Sequence, residues 1–181
     1  MILPDSGARQ KFATGAVRDI SEGKGRCDLL PLDTIEQILN DYKYWCITRK
    51  ETSSPMPTVL TLISRYLDTT ETYHLSNAIC RFIDEEFEGD VYGALIELSK
   101  HYEDGAKKYS PNNWKLGINV HCFIDSAIRH YLKYLRGDAD EPHNRAVLWN
   151  LIGAFWTHNH HPEMNDIQEG GHYVETRTAE E

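Results

Sequence analysis

One segment constrains the fold more than any other: residues 120–136, Val-His-Cys-Phe-Ile-Asp-Ser-Ala-Ile-Arg-His-Tyr-Leu-Lys-Tyr-Leu-Arg. Phe123, Ile124, Ala127, Ile128, Tyr131, Leu132 and Leu135 recur at intervals of three and four, so a helix gathers them on one broad face. Asp125, Arg129 and Lys133 form a separate row four residues apart on another face. Gly137 follows at once, where glycine readily takes the left-handed backbone that ends a helix. So wide an apolar stripe must be covered by other elements, and the rest of the chain has to supply them.

It supplies more helices. Asp33 can cap a first one, with Glu36 completing a capping box and Ile35, Ile38, Leu39, Tyr42 and Cys46 following at helical spacing. Serine and proline between residues 49 and 57 read as a loop. Further helices are expected from about Thr58 to Leu67, from His74 to Phe87, and from Val91 to Tyr109. A sixth runs from Pro142 to about His158 after the acidic turn 138–141. No alternating strand pattern competes. The expectation is an all-α bundle of about six helices in one domain, residues 1–161, with a flexible tail at 162–181.

Charge and cysteine usage narrow the function classes. A net charge of −9 argues against a nucleic-acid polymer as partner, which calls for a basic face. It leaves room for a small phosphate ligand held by a few cations. Cys27, Cys46, Cys80 and Cys122 are scattered without a CxxC pair and read as reduced thiols of a cytoplasmic protein. No apolar run approaches the length of a membrane span, and the start of the chain lacks signal-peptide character. Glycines 15, 23 and 25 beside Lys24 and Arg26 suit either a phosphate-contacting arm or a solvated leader.

Chemistry concentrates between His101 and Asn150. Glu103, Asp104, Asp125, Asp138, Asp140 and Glu141 lie at helix ends and turns where a cleft could gather them. Such carboxylates suit Mg²⁺ or Mn²⁺. Lys107, Lys108 and Arg129 could hold phosphate oxygens. Asn113 and Trp114 offer hydrogen bonds and a stacking face for a base; Trp114 is equally suited to anchor its loop in the core. His130 could orient a ligand or move a proton, or be a satisfied interior histidine. His143 and Asn150, seven apart, share a stripe of the sixth helix. The tract His158-Asn-His-His161 invites a metal reading. Adjacent histidines cannot converge from a helix end, however, and they complement the helix dipole instead.

These motifs, in order, are Lys24-Gly-Arg-Cys-Asp-Leu-Leu-Pro31, Tyr102-Glu-Asp-Gly-Ala-Lys-Lys-Tyr109, Asn113-Trp114, Ser126-Ala-Ile-Arg-His130, Leu135-Arg-Gly-Asp138, His143 and Trp149-Asn150. Over about residues 14–33 and 97–157 the chain resembles the phage-associated dATP/dGTP diphosphohydrolase N-terminal family, itself similar to MazG-like all-α nucleotide pyrophosphohydrolases. The resemblance implies hydrolysis of a (deoxy)nucleoside triphosphate to the monophosphate and pyrophosphate, with Mg²⁺ or Mn²⁺ and in a homo-oligomer. It implies metal ligands among Glu103, Asp104, Asp125, Asp138 and Asp140, with Glu103, Asp125 and His130 catalytic. The implied substrate contacts are Lys24, Arg26, Lys107, Lys108, Asn113, Trp114, Arg129, His143 and Asn150. The chain departs from the MazG-like pattern of ExxE followed by ExxD: Glu97 and Glu103 are six apart, and Cys122 stands three before Asp125. Segment 41–90 is an expected insertion relative to short family members. An alternative is a nucleotide-binding protein that sequesters, for example, a signalling nucleotide of a host defence system without hydrolysing it.

Overall fold

The computed structural model describes residues 7–51 and 55–173. Six helices dominate it, as the periodicity predicts: α1 Leu32–Glu51, α2 Val59–Thr69, α3 Tyr73–Glu86, α4 Val91–Lys108, α5 Val120–Arg136 and α6 His143–His160. Short 3-10 turns at Cys27–Leu29, Asn113–Leu116 and Pro162–Met164 join them.

The bundle is built around α6. His143, Ala146, Val147, Leu148 and every residue from Asn150 to Thr157 are buried on it, so it has almost no solvent face. α5 packs along it most extensively, and α3, α4 and α1 close the remaining sides. Gly153 is what lets α5 come so near. A Cβ there would stand 2.5 Å from the Phe123 ring.

The helix ends follow local chemistry. Asp90 accepts the Gly93 N–H at 2.9 Å and starts α4. Thr58 caps α2 through the Thr61 N–H. Gly137, at φ +81°, ends α5 in the left-handed conformation expected of it. The capping box at Asp33 does not form. Its carboxylate instead takes the neighbouring Thr34 N–H and reaches His160 Nε2 at 2.7 Å.

Three expectations change. α1 continues through Glu51, so the helix takes in residues read as the start of a loop. Two short antiparallel hairpins exist where no strand was expected: β1 Arg9–Lys11 with β2 Val17–Asp19, and β3 Ile167–Gln168 with β4 His172–Tyr173. Pieces of two or three residues are too short for an alternation to register in sequence. The second hairpin falls within the expected flexible tail. There Ile167 is buried against the core and Asp166 accepts the His121 N–H; residues 174–181 lie outside the described residues. Segment 41–90 contributes to the core. Tyr42, Trp45, Tyr66, Phe82 and Ile83, all in the main core, come from it.

Candidate functional site

α4, the 110–119 loop, α5 and the start of α6 enclose a cavity of about 590 Å³. Ligand sites typically span about 300–1,000 Å³. Aromatic walls come from Tyr102, Tyr109, Trp114 and Trp149, amides from Asn112, Asn113 and Asn150. Lys108 is its lysine, Asp104 and Glu141 its carboxylates, and His101 and His130 its imidazoles.

Each wall is held by its own element. Trp114 sits in the 3-10 turn and is wedged edge-on against Tyr102 (5.5 Å) and Trp156 (4.7 Å). Both sequence readings of Trp114 therefore hold: it anchors the loop in the core and lines the cavity. Its Nε1–H is buried and has no hydrogen-bond partner among the described residues. Asn112 takes φ +62° to turn the chain into that wall. Asn150 spends one amide donor on the Ala146 carbonyl at 2.8 Å. His101 lies against Trp149, ring centroids 5.6 Å apart.

Burial lowers the pKa of both cavity histidines. At His101 it outweighs the opposing pull of Asp104. At His130 it acts with His143 against the pull of Glu141. Both are therefore neutral near pH 7 and can accept a proton. His130 Nδ1 stands 3.1 Å from His143 Nδ1 and 3.4 Å from Glu141 Oε1. His143 is almost fully buried, and its Nε2 meets Asp140 Oδ1 at 2.8 Å.

The cavity thus brings together Asp104, Lys108, Asn113, Trp114, His130 and Asn150 of the expected site residues, with His143 behind its wall. The others lie elsewhere. Glu103 points away from the cavity to the N-terminal segment, where its carboxylate accepts the N–H groups of Gly23 and Gly25, each at 2.9 Å, and meets Lys107 at 3.0 Å. The Gly23 N–H above all, with Lys107 and Gly25, pulls its pKa from about 4.5 down to about 2. Both oxygens are committed, so Glu103 is not positioned as a cavity metal ligand.

Lys107 and Arg26 line a smaller depression of about 280 Å³ beside this clamp. Arg26 is locked by two 2.7 Å bonds to Asp28, and the exposed Lys24 lies on the same segment. Asp125 and Arg129 pair with each other on the outer side of α5, along a groove shared with Lys133 and Arg136. Asp138 is paired with Arg136, and Asp140 with Lys133 and His143. In each case a neighbouring base neutralises the carboxylate, which spacing alone did not exclude.

Sequence reasoning did not single out His101 or Tyr109 as site residues, and it counted Glu141 only among the carboxylates of the acidic turn. His101 opened the dense stretch and Glu141 sat in the acidic turn, but nothing local distinguished them. It also passed over Cys122, whose Sγ lies 3.3 Å from His121 Nε2, with Asp166 on the other ring nitrogen. That order is the one of a thiol–imidazole–carboxylate triad. Burial, with Asp166 and Asp125, raises the thiol's pKa, which opposes the thiolate a nucleophile needs. The histidines of the 158–161 tract diverge as expected: His158 to Tyr66, His160 to Asp33, His161 to Glu163.

Residues 87–167 match the family model described as dATP/dGTP diphosphohydrolase, N-terminal, which supports the family named from the motifs. The match covers every cavity residue except Leu29 and begins after α3, leaving the N-terminal arm and α1–α3 outside it. No curated protein and no solved structure matches the chain. No helix among the described residues is long and apolar enough to cross a membrane.

Proposed function

We propose that the protein hydrolyses a deoxynucleoside triphosphate to the monophosphate and pyrophosphate in the cavity between α4, α5 and α6. The observation that carries this reading is the division of the cavity lining. Aromatic and amide groups gather in Tyr109, Asn112, Asn113 and Trp114, while Lys108, Asp104, His130 and Glu141 supply charge and proton acceptors. A nucleotide has the same two-part character.

In this reading the base lies against the aromatic Trp114 wall. The free donor and acceptor capacity of Asn113 and Asn150 serves base and sugar. Lys108 takes a phosphate oxygen. The neutral imidazole of His101 accepts the proton of the attacking water. A divalent cation drawn to Asp104 and Glu141 supplies charge neutralisation on the triphosphate.

The test is direct. The purified protein is incubated with each dNTP and NTP plus Mg²⁺ or Mn²⁺, and monophosphate and pyrophosphate are separated by chromatography. Turnover that drops at least about tenfold in Lys108→Ala and in Trp114→Phe, the latter keeping an aromatic side chain but shrinking the stacking wall, supports the reading. Calorimetric binding without product sinks hydrolysis and favours sequestration, the outcome suited to the departure from the ExxE and ExxD spacing.

A further inference from the structure

We propose that His130, Glu141 and His143 form a binding site for a first-row transition dication, such as Zn²⁺ or Co²⁺, at the rim of the cavity. The inference deepens the hydrolase reading, on which it rests only for its catalytic meaning. Of the carboxylates expected from sequence to gather around a metal, only Glu141 belongs to this group of three.

The geometry is that of a coordination face. The three candidate donor atoms are His130 Nδ1, His143 Nδ1 and Glu141 Oε1, and their mutual separations are 3.1, 3.4 and 3.6 Å. Donors around one such ion are spaced about 3.0–3.5 Å apart in octahedral or tetrahedral arrangements. A point equidistant from these three atoms lies roughly 2.0 Å from each, and bonds from nitrogen or oxygen to zinc are about 2.0–2.2 Å long. Two imidazoles and one carboxylate leave a coordination position open.

A second observation is independent of the triangle. His143 Nε2 is bonded to Asp140 Oδ1 at 2.8 Å. An imidazole that donates from Nε2 presents a bare lone pair at Nδ1, the atom turned toward His130 and Glu141. This carboxylate–histidine–metal relay is the usual way a protein fixes a ligating histidine. The buried His143 is thus held in the tautomer and orientation that a metal requires. Without an ion, two ring nitrogens must share one proton at 3.1 Å between them; an ion satisfies both lone pairs and the glutamate at once.

The donor set also selects the ion. Imidazole nitrogen favours zinc, cobalt and nickel over magnesium and calcium, which prefer all-oxygen shells. Position fits the proposed substrate. His130 and Glu141 line the cavity, and Glu141 and His143 line the groove behind it, so the site sits in the partition. The second His143-containing group, with Asp138 and Asp140, is occupied by Arg136 and Lys133 and is the poorer candidate.

Metal-stripped full-length protein is titrated with Co²⁺ alone, followed by visible absorption and calorimetry. The expected result is one ion per chain and a d–d spectrum of nitrogen–oxygen ligation, displaced by Zn²⁺ and not by a large excess of Mg²⁺. His130→Ala and Glu141→Gln should each weaken binding by at least about tenfold, and Asp140→Asn by about 10- to 100-fold. Glu141, with a side chain 43% exposed, can be changed without disturbing the core. His161→Ala, in the separate histidine tract, should leave the affinity unchanged. Co²⁺ binding that survives Glu141→Gln and His130→Ala, or that is lost in His161→Ala, overturns the proposal. Wild-type turnover with Mg²⁺ in protein that binds no Co²⁺ would refute the site and spare the hydrolase reading. Co²⁺ binding without turnover would do the reverse.

Discussion

Changing Glu103 to glutamine should release the N-terminal segment from α4 while leaving the bundle folded. The carboxylate accepts one N–H from Gly23 and one from Gly25, and Lys107 lies against it. A carboxylate whose pKa falls from about 4.5 to about 2 on folding is stabilised by roughly 3 kcal/mol in its charged form. That figure is an upper limit. The side chain is only 8% exposed, so burial opposes the charge, and the half-exposed Lys107 is screened by solvent. Counting bonds gives a similar size. Glutamine keeps one acceptor oxygen, so one of the two backbone donors loses its partner, and a hydrogen bond to a charged group contributes about 1.5–3 kcal/mol.

The cost should fall on local opening, because Leu29 and Leu30 still pack in the core and the Arg26 N–H still meets the Ser99 carbonyl. Native-state amide exchange reads it residue by residue. Protection at Gly23 and Gly25 should drop about 10- to 100-fold in Glu103→Gln, with the α6 amides unchanged. The pH dependence has a definite sign. A depressed carboxylate pKa gives stability that is fully present above the ordinary value of about 4.5 and is lost as pH falls toward about 2. Wild-type protection at the two glycines should therefore fade across that window, and the variant should show no such transition. Equal protection in both proteins, or fading of the same size in the variant, would refute the clamp.

Two further perturbations test the packing. Gly153→Ala places a Cβ 2.5 Å from the Phe123 ring, so α5 must shift from α6; overpacking of this kind costs about 1–3 kcal/mol, read as a lower midpoint in urea. Asp84 is 3% exposed and accepts bonds from Tyr42 Oη (2.8 Å), Trp45 Nε1 (2.7 Å) and Arg49 (2.6 Å). Asp84→Asn keeps the shape but removes the charge that Arg49 faces and one acceptor. It should cost about 1–3 kcal/mol in the same assay, and an unchanged midpoint would show that the network contributes nothing net.

The helices were legible because burial repeats at their own period. The stripe of α5 reads onto buried Phe123, Ile124, Ala127 and Tyr131, although its Leu132 and Leu135 are exposed. The cavity was half legible. Lys108, Asn113 and Trp114 lie close together in sequence and line one cavity with Asn150, and their chemistry is visible without coordinates. What could not be read was which groups are already spent. Glu103 is taken by glycines 78 and 80 residues away, a pairing no local pattern announces. Asp166 is taken by His121, 45 residues away, and this turns an apparently polar tail into a packed hairpin.

The same distinction explains where metal chemistry can reside. Among the carboxylates expected to bind a cation, Asp125, Asp138 and Asp140 each have a base two to seven residues away, and Glu103 has Lys107 four residues on. Such pairs form within one helix or turn, at small cost in chain entropy. A cation entering there would first have to displace an arginine or lysine. His130 and His143 differ: their nitrogens face each other, and an entering ion displaces only a proton. In a chain of net charge −9, abundance of carboxylate is therefore a poor guide to metal. The better guide is a set of donor atoms that converge on one another with no protein cation between them. Among the groups described here, the partition between α5 and the start of α6 meets that condition.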